Sequence, residues 1–205
     1  MKNLIPLLIL AFLLASVCVG ADKATTAKTV EDIKAAITGE TTASAKYAAY
    51  AQKAREEGYL QVALLFDAAS SAEKIHATNH RAVLEQMGEK MGEVTPKFEV
   101  KSTKENLKDA VKGETYESTT MYPGFIKTAN QAKANLALVS FNYAYKTEIK
   151  HKELYSKALE ALDKGAEKTL AGKYYVCPTC GNTYASEATS RCGFCMTPKE
   201  RFIPI

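Results

Sequence analysis

Tryptophan is absent from the 205 residues, histidine appears only three times and cysteine five times. No block of lysine and arginine is present either: the net charge is +4, and basic residues are interleaved with acidic ones. A nucleic-acid groove needs a basic stripe with stacking aromatics, so no nucleic-acid partner is expected. Apolar residues make up 46% and charged residues 24%, a balance that excludes a disordered or collagen-like chain. Domains commonly hold about 100–150 residues, so this length suits one medium domain and a small module.

One run lacks charge altogether. It extends from Leu4 to Ala21, behind Lys2 and ending on Val19-Gly20-Ala21, which is the pattern of a cleaved signal peptide over residues 1–21. Interrupted by Pro6, it barely reaches the ~20 residues of a membrane span, so no membrane attachment is expected after cleavage. No twin-arginine pair suggests folded export. The expected location is the periplasm, with metals acquired there, since metal binding is coupled to folding. Cleavage removes Cys18 and leaves four cysteines.

The spacing of apolar residues predicts four helices, at about 30–57, 59–88, 103–131 and 132–164. Thr29 with Asp32, and Ser102 with Glu105, read as N-caps, while Gly58, Gly88 and Gly165 sit at helix ends. The only long connection before residue 165, at 89–101, joins two hairpins, the connectivity of a ferritin-like four-helix bundle over 29–165. Pro123-Gly124 predicts a kink within the third helix. The hairpins repeat: Gly39-Glu40 recurs as Gly113-Glu114, 74 positions on, and Glu73-x-x-His76 recurs as Glu148-x-x-His151, 75 positions on. One inserted residue accounts for both offsets. Ala43 corresponds to Glu117, so one half carries an extra carboxylate.

Ionisable groups interrupt every apolar stripe at mid-height. They are Glu40 on the first helix, Glu73, His76 and His80 on the second, Glu114 and Glu117 on the third, and Glu148 and His151 on the fourth. A lone helical Glu is usually solvated, but four helices in matching register are a different case. Burying unpaired carboxylates costs several kcal/mol each by order of magnitude, so a core that collects five needs a cation. A Glu and a His three apart share one helix face and can reach one metal. One Glu from each of two helices with Glu-x-x-His from the other two is the di-iron carboxylate arrangement. Oxygen and imidazole donors without thiolate favour iron or manganese. His80 has no histidine at the equivalent repeat position, where Tyr155 stands, and reads as a hydrogen-bonded core-edge residue. Tyr47 and Tyr122 read as core aromatics whose hydroxyls would find nearby carboxylates.

The C-terminal segment carries Cys177-Pro-Thr-Cys180-Gly181 and Cys192-Gly193-Phe-Cys195. Paired Cys-x-x-Cys knuckles mark a tetrahedral four-thiolate metal site, with two disulfides as the alternative in an exported chain. Zinc and iron both suit the donors. Tyr174, Tyr175, Tyr184, Phe194 and Phe202 can cover a module too small to build a core unaided.

Together these residues resemble the rubrerythrin family over roughly 29–205. Glu40, Glu73, His76, Glu114, Glu117, Glu148 and His151 match its ligand positions, Met121-Tyr-Pro-Gly-Phe125 resembles its third-helix motif, and Cys177, Cys180, Cys192 and Cys195 match its rubredoxin-like module at 173–205. The resemblance implies an all-α ferritin-like bundle with a small β module, two irons in the bundle and one iron, or zinc, at the cysteines. It implies reduction of hydrogen peroxide to water, with electrons from an unidentified donor entering through the thiolate centre. It also implies a head-to-tail homodimer with each module near its partner's bundle site. Glu117, His76, Tyr47 and Tyr122 are the candidate catalytic residues; one iron would exchange Glu117 for His76 on reduction. Five carboxylates leave two ferrous ions with net negative charge and two ferric ions with net positive charge, which gives that exchange a cause. The competing class is iron oxidation or storage without turnover.

Overall fold

The computed structural model describes residues 23–205; the expected export segment lies outside them. Helices α1 (Lys23–Glu56) and α2 (Leu60–Gln86) form the first hairpin. The turn closes at Gly58, whose φ of +86° is the left-handed conformation that ends many helices. Residues 87–102 cross the bundle without regular structure. The second hairpin contains α3 (Thr103–Tyr116), a π-helical turn (Glu117–Met121), α4 (Tyr122–Gln131) and α5 (Asn135–Asp163).

Two expectations about helix ends meet different outcomes. Ser102 caps α3 through a reciprocal capping box with Glu105. Thr29 caps nothing: α1 is already helical from Lys23, and the Thr29 hydroxyl donates to the Thr25 carbonyl one turn back. At Pro123 the structure has a widened turn just upstream, in which the Tyr122 N–H donates to the Glu117 carbonyl, five residues back. Pro123 has no N–H to continue the α ladder, and the π turn redistributes the bonds around that gap. The same turn locates the inserted residue of the repeat. Ser44 pairs with Ser118 at an offset of 74, whereas Tyr47 pairs with Tyr122 at 75. The extra residue therefore lies between Ser118 and Tyr122, inside the π turn.

The apolar core is split. One cluster holds Tyr47, Phe66, Leu107 and Tyr155; the other holds Ile33, Ile37, Tyr122 and Phe141. On every helix the ionisable residues fall between the two. The order of the clusters shows α1 and α5 running one way and α2 and α3–α4 the other, as a crossover spanning the bundle requires.

After Gly165 and a 3₁₀ turn at Glu167–Thr169, a three-stranded antiparallel sheet forms in the order β2-β1-β3, from β1 (Tyr174–Val176), β2 (Thr183–Ala185) and β3 (Ile203–Pro204). Tyr175 pairs with Tyr184 and Val176 with Ile203. Phe202 and three cysteines make its small core. Among the described residues no helix is long and apolar enough to cross a membrane.

Candidate metal centres

The four helices bring six of the predicted side chains into two overlapping groups. Glu40, Glu73, His76 and Glu148 form one; Glu73, Glu114, Glu148 and His151 form the other, with the donor atoms of each group all within 4.8 Å of one another. Glu73 and Glu148 belong to both. Glu73 turns Oε2 to His76 Nδ1 at 2.9 Å and Oε1 to His151 Nδ1 at 3.0 Å. Glu148 does the same with its two oxygens, at 3.0 Å each. Glu40 and Glu114 close the two ends. All six side chains are buried.

These atoms approach one another without hydrogen-bond geometry. Both oxygens of Glu73 and Glu148, Oε2 of Glu40 and Glu114, and Nδ1 of both histidines have no hydrogen-bond partner. Buried polar atoms are almost always paired, so convergent lone pairs of this kind are donors for cations. Two carboxylates offering one oxygen each way suit a pair of metals. The donor set of oxygen and imidazole fits iron.

Electrostatics agree. Burial and the neighbouring Glu148 push the Glu40 carboxyl up to about 8. Burial, reinforced by surrounding carboxylates, also raises Glu114 and Glu117 well above the usual range. Burial opposes charge on Glu148, but His76 and His151 outweigh it and hold that carboxyl at about 2. Burial likewise opposes charge on the histidines, and facing carboxylates raise both well above their ordinary value. Without a cation, protons would have to offset the crowding of carboxylates.

Glu117, the seventh predicted ligand, stands outside both groups. It opens the π turn and is half-buried. The site is therefore arranged with His76 inward and Glu117 apart, one of the two alternatives implied by the resemblance.

Both predicted tyrosines reach carboxylates from opposite ends. Tyr47 donates to Glu114 Oε1 at 2.6 Å, and Tyr122 donates to Glu40 Oε1. His80 belongs to neither metal group: its Nε2 lies 3.1 Å from the Tyr122 hydroxyl and its Nδ1 2.7 Å from the Ser140 hydroxyl. Ser140 went unremarked in the sequence because nothing distinguishes a small polar residue on a helical stripe until its partner is known.

The outer nitrogens of the ligand histidines contact the cysteine module. His76 Nε2 lies 3.2 Å from the Cys180 carbonyl oxygen, and His151 Nε2 lies 2.9 Å from Thr183 Oγ1. Asn79 donates to the Thr179 carbonyl, and Lys150 to Asn182 Oδ1. Gly181, at φ +75°, sits so close that a Cβ there would lie 2.3 Å from His76 Nε2. The resemblance implies a module near a partner's bundle site; within this chain the module also contacts its own bundle. Leu170, Ala171 and Ile205 pack against the first core cluster and hold the returning chain in place. Thr183 and the Cys180 carbonyl carry no sequence signal, because their partners lie more than thirty residues away.

The four cysteines are free, and their sulfurs lie within 4.8 Å of one another. Cys177 and Cys195 are 3.4 Å apart and Cys180 and Cys192 3.5 Å apart, far beyond a disulfide bond of about 2.05 Å. Such spacings suit thiolates around one tetrahedral ion.

The rubrerythrin family model matches residues 31–159. Nigerythrin of Nitratidesulfovibrio vulgaris is 37% identical over 187 residues, covering 90% of each chain. A structure of nigerythrin in its fully reduced, all-ferrous state superposes with a TM-score of 0.78 at 36% identity over 86% of each chain. Bacterioferritin of Rhodobacter capsulatus, 17% identical, shares the fold with a TM-score of 0.61, covering 80% of this chain and 98% of its own.

Proposed function

From the premise that the chain belongs to the rubrerythrin family, we propose that it reduces hydrogen peroxide to water at a di-iron site, with electrons entering through iron at the four cysteines. The observation that carries this reading is the contact between two metal centres of different chemistry: the Cys180 carbonyl touches the imidazole of His76. An iron-storage bundle has no use for a thiolate centre docked on a ligand.

Bound iron would supply the two electrons that break the peroxide O–O bond. The protein's residues do the rest. Glu73 and Glu148, each shared by both donor groups, would hold both metals, Glu40, Glu114, His76 and His151 would hold one each, and Glu117 on the π turn would be the alternative to His76. Tyr47 and Tyr122 orient the terminal carboxylates by donating to one oxygen of each, which leaves the other oxygen for metal. The two core clusters exclude bulk water above and below.

Two further proposals complete the reading. The uncharged segment 4–21 supports export to the periplasm, where a periplasmic or membrane-linked carrier would supply electrons; fractionation that finds residues 1–21 intact in the cytoplasm rejects this. The family resemblance supports a head-to-tail homodimer in which the same bundle and module surfaces meet between copies, since exchange of an identical contact is a low-cost route to a dimer.

The central test is stopped-flow oxidation of the reduced protein by peroxide and by oxygen, alongside metal analysis. Rapid oxidation by peroxide and slow oxidation by oxygen are expected. Glu73→Ala and Glu148→Ala should each lose bundle metal while keeping the cysteine-bound ion. Full loading of both variants would remove the site assignment.

A further inference from the structure

Reducing one peroxide to two waters consumes two protons as well as two electrons, and a buried site must draw those protons from solvent. One hydrogen-bonded chain leads there from the surface. Ser140 on α5 lines a pocket of about 200 Å³ with Leu136, Val139 and Tyr143, and Leu136 and Val139 are 52% and 49% exposed. From Ser140 the chain runs to His80 Nδ1, from His80 Nε2 to the Tyr122 hydroxyl, and from Tyr122 to Glu40 Oε1.

Its polarity follows from donor inventory. A carboxylate that holds metal is ionised and only accepts hydrogen bonds. The single Tyr122 proton therefore points to Glu40, so the Tyr122 oxygen accepts from His80. That requires the Nε2–H tautomer and leaves Nδ1 to accept from Ser140. All three donors point inward.

The internal repeat supplies a control. Tyr47 mirrors Tyr122 and donates to Glu114 as Tyr122 does to Glu40. Beyond it the chain stops. The counterpart of His80 is Tyr155, whose buried hydroxyl has no partner, and the counterpart of Ser140 is the buried Leu65. Duplication kept the tyrosine–carboxylate bond on both sides and an outlet on one.

We propose that Ser140, His80 and Tyr122 form a one-sided proton-entry relay to the Glu40 end of the site, in which His80 is a positioning residue acting through Tyr122. The demand for protons rests on the peroxide reading above. In each transfer the Ser140 hydroxyl proton moves to Nδ1 as the Nε2 proton moves to the Tyr122 oxygen. The phenolic proton leaves toward Glu40 and ends on a peroxide oxygen departing as water. Solvent in the pocket restores Ser140, and proton exchange with that solvent, in which Nδ1 loses a proton and Nε2 gains one, restores the tautomer. Burial, then His76 on the same helix, hold His80 neutral, with a pKa of about 3 despite Glu148 across on α5. Glu40 of α1 faces it only through Tyr122 of α4, and Ser140 of α5 is uncharged. A neutral ring that changes tautomer conducts a proton without charging the core.

Two measurements decide the matter. In zinc-loaded, diamagnetic protein, ¹⁵N NMR should find His80 as the neutral Nε2–H tautomer; the Nδ1–H tautomer would overturn the relay, whether or not peroxide is the substrate. In iron-loaded protein, His80→Phe and Ser140→Ala should keep both bundle metals but slow peroxide turnover about tenfold or more, with a larger solvent isotope effect. Ser140→Thr, which keeps the hydroxyl, should restore the rate. Unchanged turnover and isotope effect in Ser140→Ala would sink the proposal even if His80→Phe fails to fold. Absence of peroxide turnover in the wild-type protein instead defeats the functional reading, and the tautomer measurement then judges the relay alone.

Discussion

Glu73 and Glu148 each give one oxygen to each histidine, and that division makes the site respond to both protons and metal. In metal-free protein Glu40, Glu114 and Glu117 have raised pKa values, and so do His76 and His151. Each binds its proton more tightly folded than unfolded, so its contribution is complete below the unfolded pKa and is lost as pH rises through the folded one. In the site Glu148, at about 2, below the ordinary carboxylate value, and His80, at about 3, below the ordinary imidazole value near 6.5, act in the opposite sense, but only at lower pH. In the cysteine module Cys177, lowered to about 4 by its hydrogen bond with Cys180, and the lowered Cys192 act in that sense across the neutral range but are outnumbered by the five raised groups. Between pH 6.5 and 8, therefore, the metal-free bundle is expected to lose stability as pH rises. Metal replaces those protons and binds more tightly over the same range. Denaturant melts at pH 6.5 and 8 check this; a metal-free bundle more stable at pH 8 would contradict it.

At the scale of the element, the π turn carries the asymmetry between the two hairpins. One residue inserted into an α-helix rotates everything beyond it by about 100°, because a turn holds 3.6 residues. The turn at Glu117–Met121 absorbs that residue locally, so Glu114 and Tyr122 both point inward. Glu117→Ala makes this half resemble the Ala43 half; both metals should remain while cycling with peroxide slows, and unchanged turnover would count against a role for Glu117. Deleting Thr120 is the harsher experiment. It should restore a regular helix, swing Glu114 or Tyr122 off the site, and lower metal content; a deletion variant with full loading would show that the turn is not needed for register.

The whole molecule is organised around the seam between bundle and module. Gly181 leaves space for His76, and Ala72 of α2 backs the same position, its carbonyl 3.2 Å from where a Cβ would be. Gly181→Ala should therefore lift the knuckle from the bundle, slowing electron delivery to the bundle metals while both centres stay loaded. Electron transfer as fast as wild type would mean that the contact is not the route. Whether copies exchange modules is answered by mixing Glu148→Ala chains with Cys180→Ala chains before assembly. The proposed homodimer should recover part of the turnover that neither variant has alone, and no recovery would keep each module on its own bundle.

Much of this was legible in the residues themselves. Carboxylates and imidazoles in register on four apolar stripes point to a shared cation, and two Cys-x-x-Cys pairs close on one ion by local chain geometry. Those constraints act within a helix or a knuckle, where periodicity is enough to see them. The π turn was visible only as a change of offset, since a proline tells where a ladder breaks and not how the bonds rearrange. Tertiary structure alone decided that His80 ends on Ser140, that Tyr155 ends on nothing, that Glu117 stands apart, and that Gly181 rests on His76. Each depends on which surfaces meet across helices or across the seam, and a hydrogen bond of about 3 Å is set by that packing rather than by the spacing of its partners along the chain.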